Sequence, residues 1–355
     1  MPVLLDDPAG LRAGDPSGIL AAFGSAGERL QASYEAARGA GVPFGPDIRS
    51  LTFCAMGGSA AVGDVVAGAF ADRAPVPLVT LRGYRVPAAY GTDDLAMCVS
   101  YSGNTEETVA AFAEARGRGC RTVVVCGGGT LAERAREAGT PVVMIPADAP
   151  VPRAALSTMV GGVLGALVGT GVLSGIEPDV ASAGKTLDGL THDIGPDVAV
   201  ADNEAKQIAD WVGDRIPVIW GSEGVSAVAA WRWKTAFNEN AEVPAFASAL
   251  PELDHHEVVG WTGDRGKGFC LLILREAGEH ERVQARLDAT LEEIGGSGLE
   301  WREVRARGEG PLDRALSLSL FGDFASAYHA LSRGIDPASM DAIIRVKERL
   351  EGDGG

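Results

Sequence analysis

The sequence predicts an α/β protein of two similar halves, each a doubly wound parallel sheet covered by helices. Short β-rich apolar runs alternate with helical patterns along most of its 355 residues. A short strand, a Gly/Ser turn and a small-residue helix occur in LTFCAMGGSAAVGDVV, from Leu51, and again in IPVIWGSEGVSAVAAWRWK, from Ile216. A further apolar run leading into a helix recurs in LAMCVSYSGNTEETVAAF, from Leu95, and in GFCLLILREAGEHERVQAR, from Gly268. The shared order reads as a tandem duplication.

Taken in order, residues 1–40 are expected to form a helical extension, with a docking helix around 25–38. The first domain covers 41–175. Its strands fall near 51–55, 78–81, 95–99, 122–126 and 142–145, with helices such as 106–116 and 131–138 between them. Residues 154–176 carry no charge and have the length of a membrane span. They also hold six glycines, Ser157, Thr158, Thr170 and Ser174, and no Lys, Trp or Tyr anchors their downstream end. A buried helix from near Ala154, then a Gly-rich turn over 169–175, is the expectation, and no membrane contact. Residues 176–195, rich in Gly, Pro and Asp, read as a linker. The second domain, with closing helices, takes 196–355.

A hydrophobic share of 46% with 22% charged residues fits a soluble globular chain. The net charge of −17 argues against nucleic acid, whose phosphates need a surplus of Lys and Arg. Five cysteines without zinc-type spacing, four of them in or beside apolar stretches, read as reduced core residues. The opening MPVLLDDPAG has neither a basic n-region nor an apolar h-region, so a cytoplasmic location is expected.

Two Ser/Gly turns follow predicted strands of the first half: Gly57, Gly58 and Ser59, then Ser100 to Thr105. In an open α/β sheet, ligands lie outside the carboxyl ends of the strands. Hydroxyls and free N–H groups at the start of a helix bind an anion without a lysine. Gly57, Gly58, Ser59, Ser100, Ser102 and Thr105 are therefore the candidate phosphate site. Read singly, Ser102, Asn104 and Thr105 are a helix cap; two neighbouring turns favour a ligand. There is no G-K-[ST], and GGSAAVG lacks the dinucleotide spacing. In the second half Arg275-Glu276-Ala277-Gly278 replaces the hydroxyl-rich loop, so one phosphate site per chain is expected.

MGGSA…GD followed by SYSGNTEET resembles the sugar isomerase (SIS) domain. The chain from about Gly41 to Leu350 resembles the two-domain bifunctional phosphoglucose/phosphomannose isomerase branch of that family. The resemblance implies interconversion of glucose 6-phosphate and mannose 6-phosphate with fructose 6-phosphate through a cis-enediolate. Such chemistry needs a base to carry a proton between C1 and C2, positive charge at the enediolate, and an acid/base for ring opening. Glu239, in the branch's N-E-N-A motif and among apolar neighbours, is implied as the proton shuttle. Arg153, in its P-R-A-A motif, is implied to stabilise the enediolate. His255, in PELDHHEVVGW, and Lys347, in IIRVKERL, are implied to open the ring. Lys347 is the weaker match because Arg345 and Arg349 flank it. The resemblance also implies a homodimer in which His255 is supplied across the interface, with no cofactor and no metal.

Each of these residues has an ordinary alternative. Glu239 would be a surface glutamate, Arg153 the end of a loop, and His255 and His256 a surface pair or metal ligands. Adjacent side chains point apart and no H-x₃-H is present, which speaks against metal. Ala55, Ala60, Glu242 and His256 depart from the common family pattern; Glu242 is read as peripheral. Another SIS enzyme, on an amino-sugar phosphate, and a sugar-phosphate sensor without turnover are the competing functions.

Overall fold

The computed structural model describes residues 2–42, 45 and 47–352; Met1 and residues 353–355, the outer ends of the expected first and last segments, lie outside these. Helices α1 (Pro8–Gly14), α2 (Ile19–Gly24) and α3 (Ala26–Arg38) precede the first sheet. There follow β1 (Ser50–Cys54), α4 (Gly57–Phe70), β2 (Leu78–Leu81), β3 (Asp94–Ser100), α5 (Glu106–Gly117), β4 (Arg121–Cys126), α6 (Gly129–Glu137) and β5 (Val142–Met144). All five strands are parallel, in the order β2-β1-β3-β4-β5. Both faces are covered, so β3 is buried at every residue and its sequence runs apolar without alternation.

A 3₁₀ turn (Pro152–Ala155) leads into α7 (Leu156–Thr170), then α8 (Glu177–Ile194) and α9 (Glu204–Val212). The second sheet is built from β6 (Ile216–Ser222), α10 (Val225–Asn240), β7 (Phe246–Leu250), β8 (Phe269–Arg275), α11 (Glu281–Ile294) and β9 (Glu300–Arg305). Its order, β7-β6-β8-β9, repeats the first sheet without a fifth strand. Two helices, α12 (Pro311–Ser332) and α13 (Asp341–Gly352), close the fold.

The segment expected to be a linker is instead the helix α8. Val180, Ala183, Leu187, Leu190 and Ile194 are buried at alternating spacings of three and four, one face of a helix packed on α3 and α12. Its Pro178 sits in the first turn, where a missing N–H costs nothing, and Gly184 gives room to Gln31. The composition of a linker here serves a helix start and a close contact.

Helix α7 is the uncharged segment. With the preceding 3₁₀ turn it makes Pro152–Thr170, the one stretch of described helix long and apolar enough to span a membrane, and 83% of it is buried inside the fold. Its glycines are contact surfaces: a Cβ at Gly161 would overlap the Leu30 carbonyl oxygen of α3, and one at Gly165 would crowd Ala37 and the Tyr34 carbonyl. Gly171, in the left-handed region, caps the helix. Helix α12 joins the two halves: it is buried from Leu312 to Leu331 apart from Arg314, and packs on α4, α8, α9 and α10. Trp233 of α10 stacks on Phe321 at 5.6 Å and donates to the Leu318 carbonyl at 2.7 Å, which fixes the register of α10 on α12.

Replacing a mid-helix glycine by alanine stabilises an exposed helix by about 1 kcal/mol. At Gly161 the sign reverses, because the obstructing atom is backbone. Gly161→Ala is expected to destabilise the protein by about 1–3 kcal/mol, read as a lower urea midpoint at unchanged m-value.

Candidate active site

The two Gly/Ser turns stand side by side because β1 and β3 are neighbours in the sheet. Each ends at the start of a helix that lacks a side-chain cap: Met56 before α4 and Thr105 before α5. The cap side chains thus leave the first-turn N–H groups of both helices without a cap bond, at the positive ends of two helix dipoles. The Ser100 and Thr105 hydroxyls are 3.0 Å apart, and the Gly103 N–H donates to Ser100 Oγ at 3.1 Å. Gly103 must be glycine: its φ is +69°, and a Cβ would run into the Gly128 carbonyl. Ser102 is exposed and accepts from the Asn104 N–H at 3.2 Å, while Gly57 is exposed and Gly58 half-buried. Ser59 lies deeper. It is buried, and its hydroxyl accepts from the Tyr101 N–H at 3.2 Å, tying one turn to the other.

Arg153 arrives at this cradle from the 3₁₀ turn before α7. A Cβ on Gly58 would sit 3.4 Å from the Arg153 Cα, so the α4 turn packs directly on the arginine backbone. Its side chain is 1% exposed and reaches into the second domain. There Nε donates to Asn240 Oδ1 at 2.6 Å, and Nη2 donates to the carbonyls of Pro337 at 2.7 Å and Ser339 at 3.0 Å. Nη1 faces Glu239 Oε2 at 3.4 Å. Burial pulls the guanidinium below its ordinary pKa, and the Glu239 carboxylate offsets part of that.

Glu239 and Asn240 are the last residues of α10, about 100° apart around its axis. Asn240 therefore turns into the core while Glu239, 27% exposed at its side chain, opens onto a cleft of about 630 Å³. Asn238, Glu242, Ser339, Met340 and Arg345 also line this cleft. Glu242 is thus part of the cleft wall, and it holds a left-handed backbone at φ +54°, a conformation uncommon outside glycine.

The other two expected residues lie apart from this pair. Lys347, on α13, lines a separate cleft of about 200 Å³ with Tyr84, Asn104, Thr105, Glu106 and Glu107, at the start of α5. His255 is exposed in a 3₁₀ turn after β7 and is not among the described residues lining either cleft. In the second domain Arg275 is held by Glu279 at 2.9 Å and Glu303 at 3.0 Å, which fills the place of a second anion site with carboxylates.

Asn240, Arg345 and the 337–339 carbonyls were not expected from the sequence. Neither was a buried ion pair beneath them, Arg232 with Asp323 at 2.6 Å, whose Arg232 Nη2 also donates to the Arg153 carbonyl at 2.8 Å. Only the flanking of Glu239 by two asparagines hinted at any of this.

Residues 201–350 match the family described as the bacterial phospho-glucose isomerase C-terminal SIS domain. The bifunctional phosphoglucose/phosphomannose isomerase of Aquifex aeolicus is 32% identical over 85% of this chain and 91% of its own length. The protein of the same name from Caldicellulosiruptor bescii is 30% identical over 91% of this chain and 96% of its own. The chain belongs to the bifunctional phosphoglucose/phosphomannose isomerase family. A more distant relative of this family member, 26% identical over 74% of the chain and 81% of its own length, is the D-glucosamine-6-phosphate 4-epimerase of Sulfolobus acidocaldarius. Among solved structures, the C-terminal domain of glucosamine-fructose-6-phosphate aminotransferase from Francisella tularensis superimposes with a TM-score of 0.67 at 15% identity, covering 90% of this chain and 97% of that one. Tagatose-6-phosphate ketose/aldose isomerase from Escherichia coli gives 0.65 at 14% identity, covering 90% and 92%. These two share the fold.

The ion pair beneath the site gives this family member a pH signature. Burial lifts the Asp323 carboxyl to about 6, although Arg232 pulls it down. Between the ordinary carboxyl value near 4 and about 6, the folded state holds a proton that the unfolded state has lost. Stability contributed by this group therefore falls as pH rises from about 4 to about 6 and is level above. Urea unfolding across that window is expected to lose this slope in Asp323→Asn, whose overall stability is also lower because Arg232 is left unpaired.

Proposed function

We propose that the protein interconverts fructose 6-phosphate with glucose 6-phosphate and mannose 6-phosphate through a cis-enediolate. The observation that carries this reading is the meeting of Arg153 and Glu239, one from each half, where the Arg153 backbone packs on the first Gly/Ser turn. Family membership supports it. The 6-phosphate is held by the turns containing Gly57, Gly58, Ser59, Ser100, Ser102 and Thr105, with Ser59 acting from beneath. Glu239 carries the proton between C1 and C2, and Arg153 offsets the charge that develops on the enediolate oxygens. The two aldoses differ only at C2, which is planar in the enediol, so reprotonation of either face yields both.

His255 and Lys347 serve ring opening. His255 is exposed and outside the cleft of its own chain, which supports its contribution to the partner's site in a homodimer. The working enzyme is then a cytoplasmic homodimer that uses no metal or organic cofactor.

Proton NMR of the protein with fructose 6-phosphate in deuterium oxide tests the reaction. Glucose 6-phosphate and mannose 6-phosphate are expected, each deuterated at C2, and Glu239→Gln is expected to slow both by at least about 100-fold. A product epimerised at C4 would instead place the chain with its 4-epimerase relative. Binding of fructose 6-phosphate without either aldose would point to a sensor.

Subunit mixing tests the shared site. Glu239→Gln and His255→Ala are each expected to be nearly inactive alone. Co-expressed, they are expected to recover about a quarter of wild-type activity, because half of the dimers then carry one intact site. No recovery would put His255 in its own chain's site.

A further inference from the structure

We infer that Asn240 is a positioning residue that locks the Arg153 guanidinium so that Nη1 alone is presented to Glu239 and the substrate. The inference rests on the isomerase reading for its catalytic meaning and on side-chain geometry for the lock itself. A guanidinium has five N–H donors in a rigid plane. Three of them are committed to the protein: Nε–H to Asn240 Oδ1, and the two on Nη2 to the Pro337 and Ser339 carbonyls. Among the described residues Nη1 meets only Glu239, at 3.4 Å.

The amide of Asn240 is itself held in one orientation. It is fully buried, and its Nδ2 donates to Ser326 Oγ at 2.9 Å. Ser326 in turn donates to the Gly322 carbonyl at 2.8 Å, so its lone pairs face the amide. A flipped amide would set two donors, Nδ2 and Arg153 Nε, against each other. The chain Gly322–Ser326–Asn240–Arg153 therefore transmits the position of α12 to the charged group. The Arg232 contact to the Arg153 carbonyl fixes the backbone end of the same residue. Arginine at 153 is consequently restricted to an end-on approach through one nitrogen, and a side-on, two-nitrogen grip on the substrate is excluded.

The test compares wild type with Asn240→Ala and Ser326→Ala. Asn240→Ala is expected to lower kcat about 100-fold, the cost of misplacing a catalytic group by about 1 Å, while KM for fructose 6-phosphate changes less than about 3-fold because the phosphate turns are untouched. Ser326→Ala, which removes one of the two contacts that orient the amide and keeps the other, is expected to lower kcat by a smaller factor. The second readout needs no turnover. In ¹H–¹⁵N spectra the Arg153 Nε–H, assigned through Arg153→Lys, is expected to exchange slowly with solvent in wild type and rapidly in Asn240→Ala. Unchanged Nε–H exchange in a folded Asn240→Ala protein overturns the lock. Altered exchange with undiminished kcat overturns its role in positioning. A wild-type protein that turns over no sugar phosphate removes the isomerase reading, and the exchange measurement still decides the lock.

Discussion

The structure turns on one buried charge. A guanidinium does not give up its proton inside a protein, so placing Arg153 at the boundary between two sheets obliges the surrounding chain to supply acceptors. Those acceptors come from two segments: Glu239 and Asn240 at the end of α10, and the carbonyls of residues 337 and 339. Each contact reaches from the second half to a residue of the first. An uncompensated ion in this position would cost several kcal/mol, so the arginine acts as a geometric constraint on how the halves meet. The packing of α12 on α4 and α10 supplies the apolar area that holds the arrangement in place.

The two halves differ at the ends of their strands and helices. The first has two helix starts without side-chain caps, with the Ser100 and Thr105 hydroxyls beside them. In the second, Arg275 is closed off by Glu279 and Glu303, and α10 ends on Glu239, which meets Arg153 of the first half.

Much of this was legible in the sequence, for identifiable reasons. Strands of a covered parallel sheet are apolar without interruption, and the Gly/Ser turns at their ends need particular residues, so both leave strong local patterns. The pairing of Arg153 with Glu239 followed only from the family motifs, since residues 86 apart carry no mutual signal. The segment 176–195 was misread because glycine, proline and aspartate suit helix starts and tight contacts as well as linkers. Asn240 was passed over because its value lies in what its amide touches across the domain boundary. His255 was assigned by motif alone, and it lies exposed in a 3₁₀ turn, apart from the Arg153–Glu239 pair.

The glycine face of α7 has a consequence for the growing chain. Helix α3 is not a detachable tail; it completes the core by lying directly on Gly161 and Gly165. Its partner is translated roughly 120 residues later, a delay on the order of ten seconds at ordinary elongation rates. For that interval the first helices leave the ribosome with their apolar side uncovered. The N-terminal segment is made first and finished late, and the order of synthesis runs against the order of assembly.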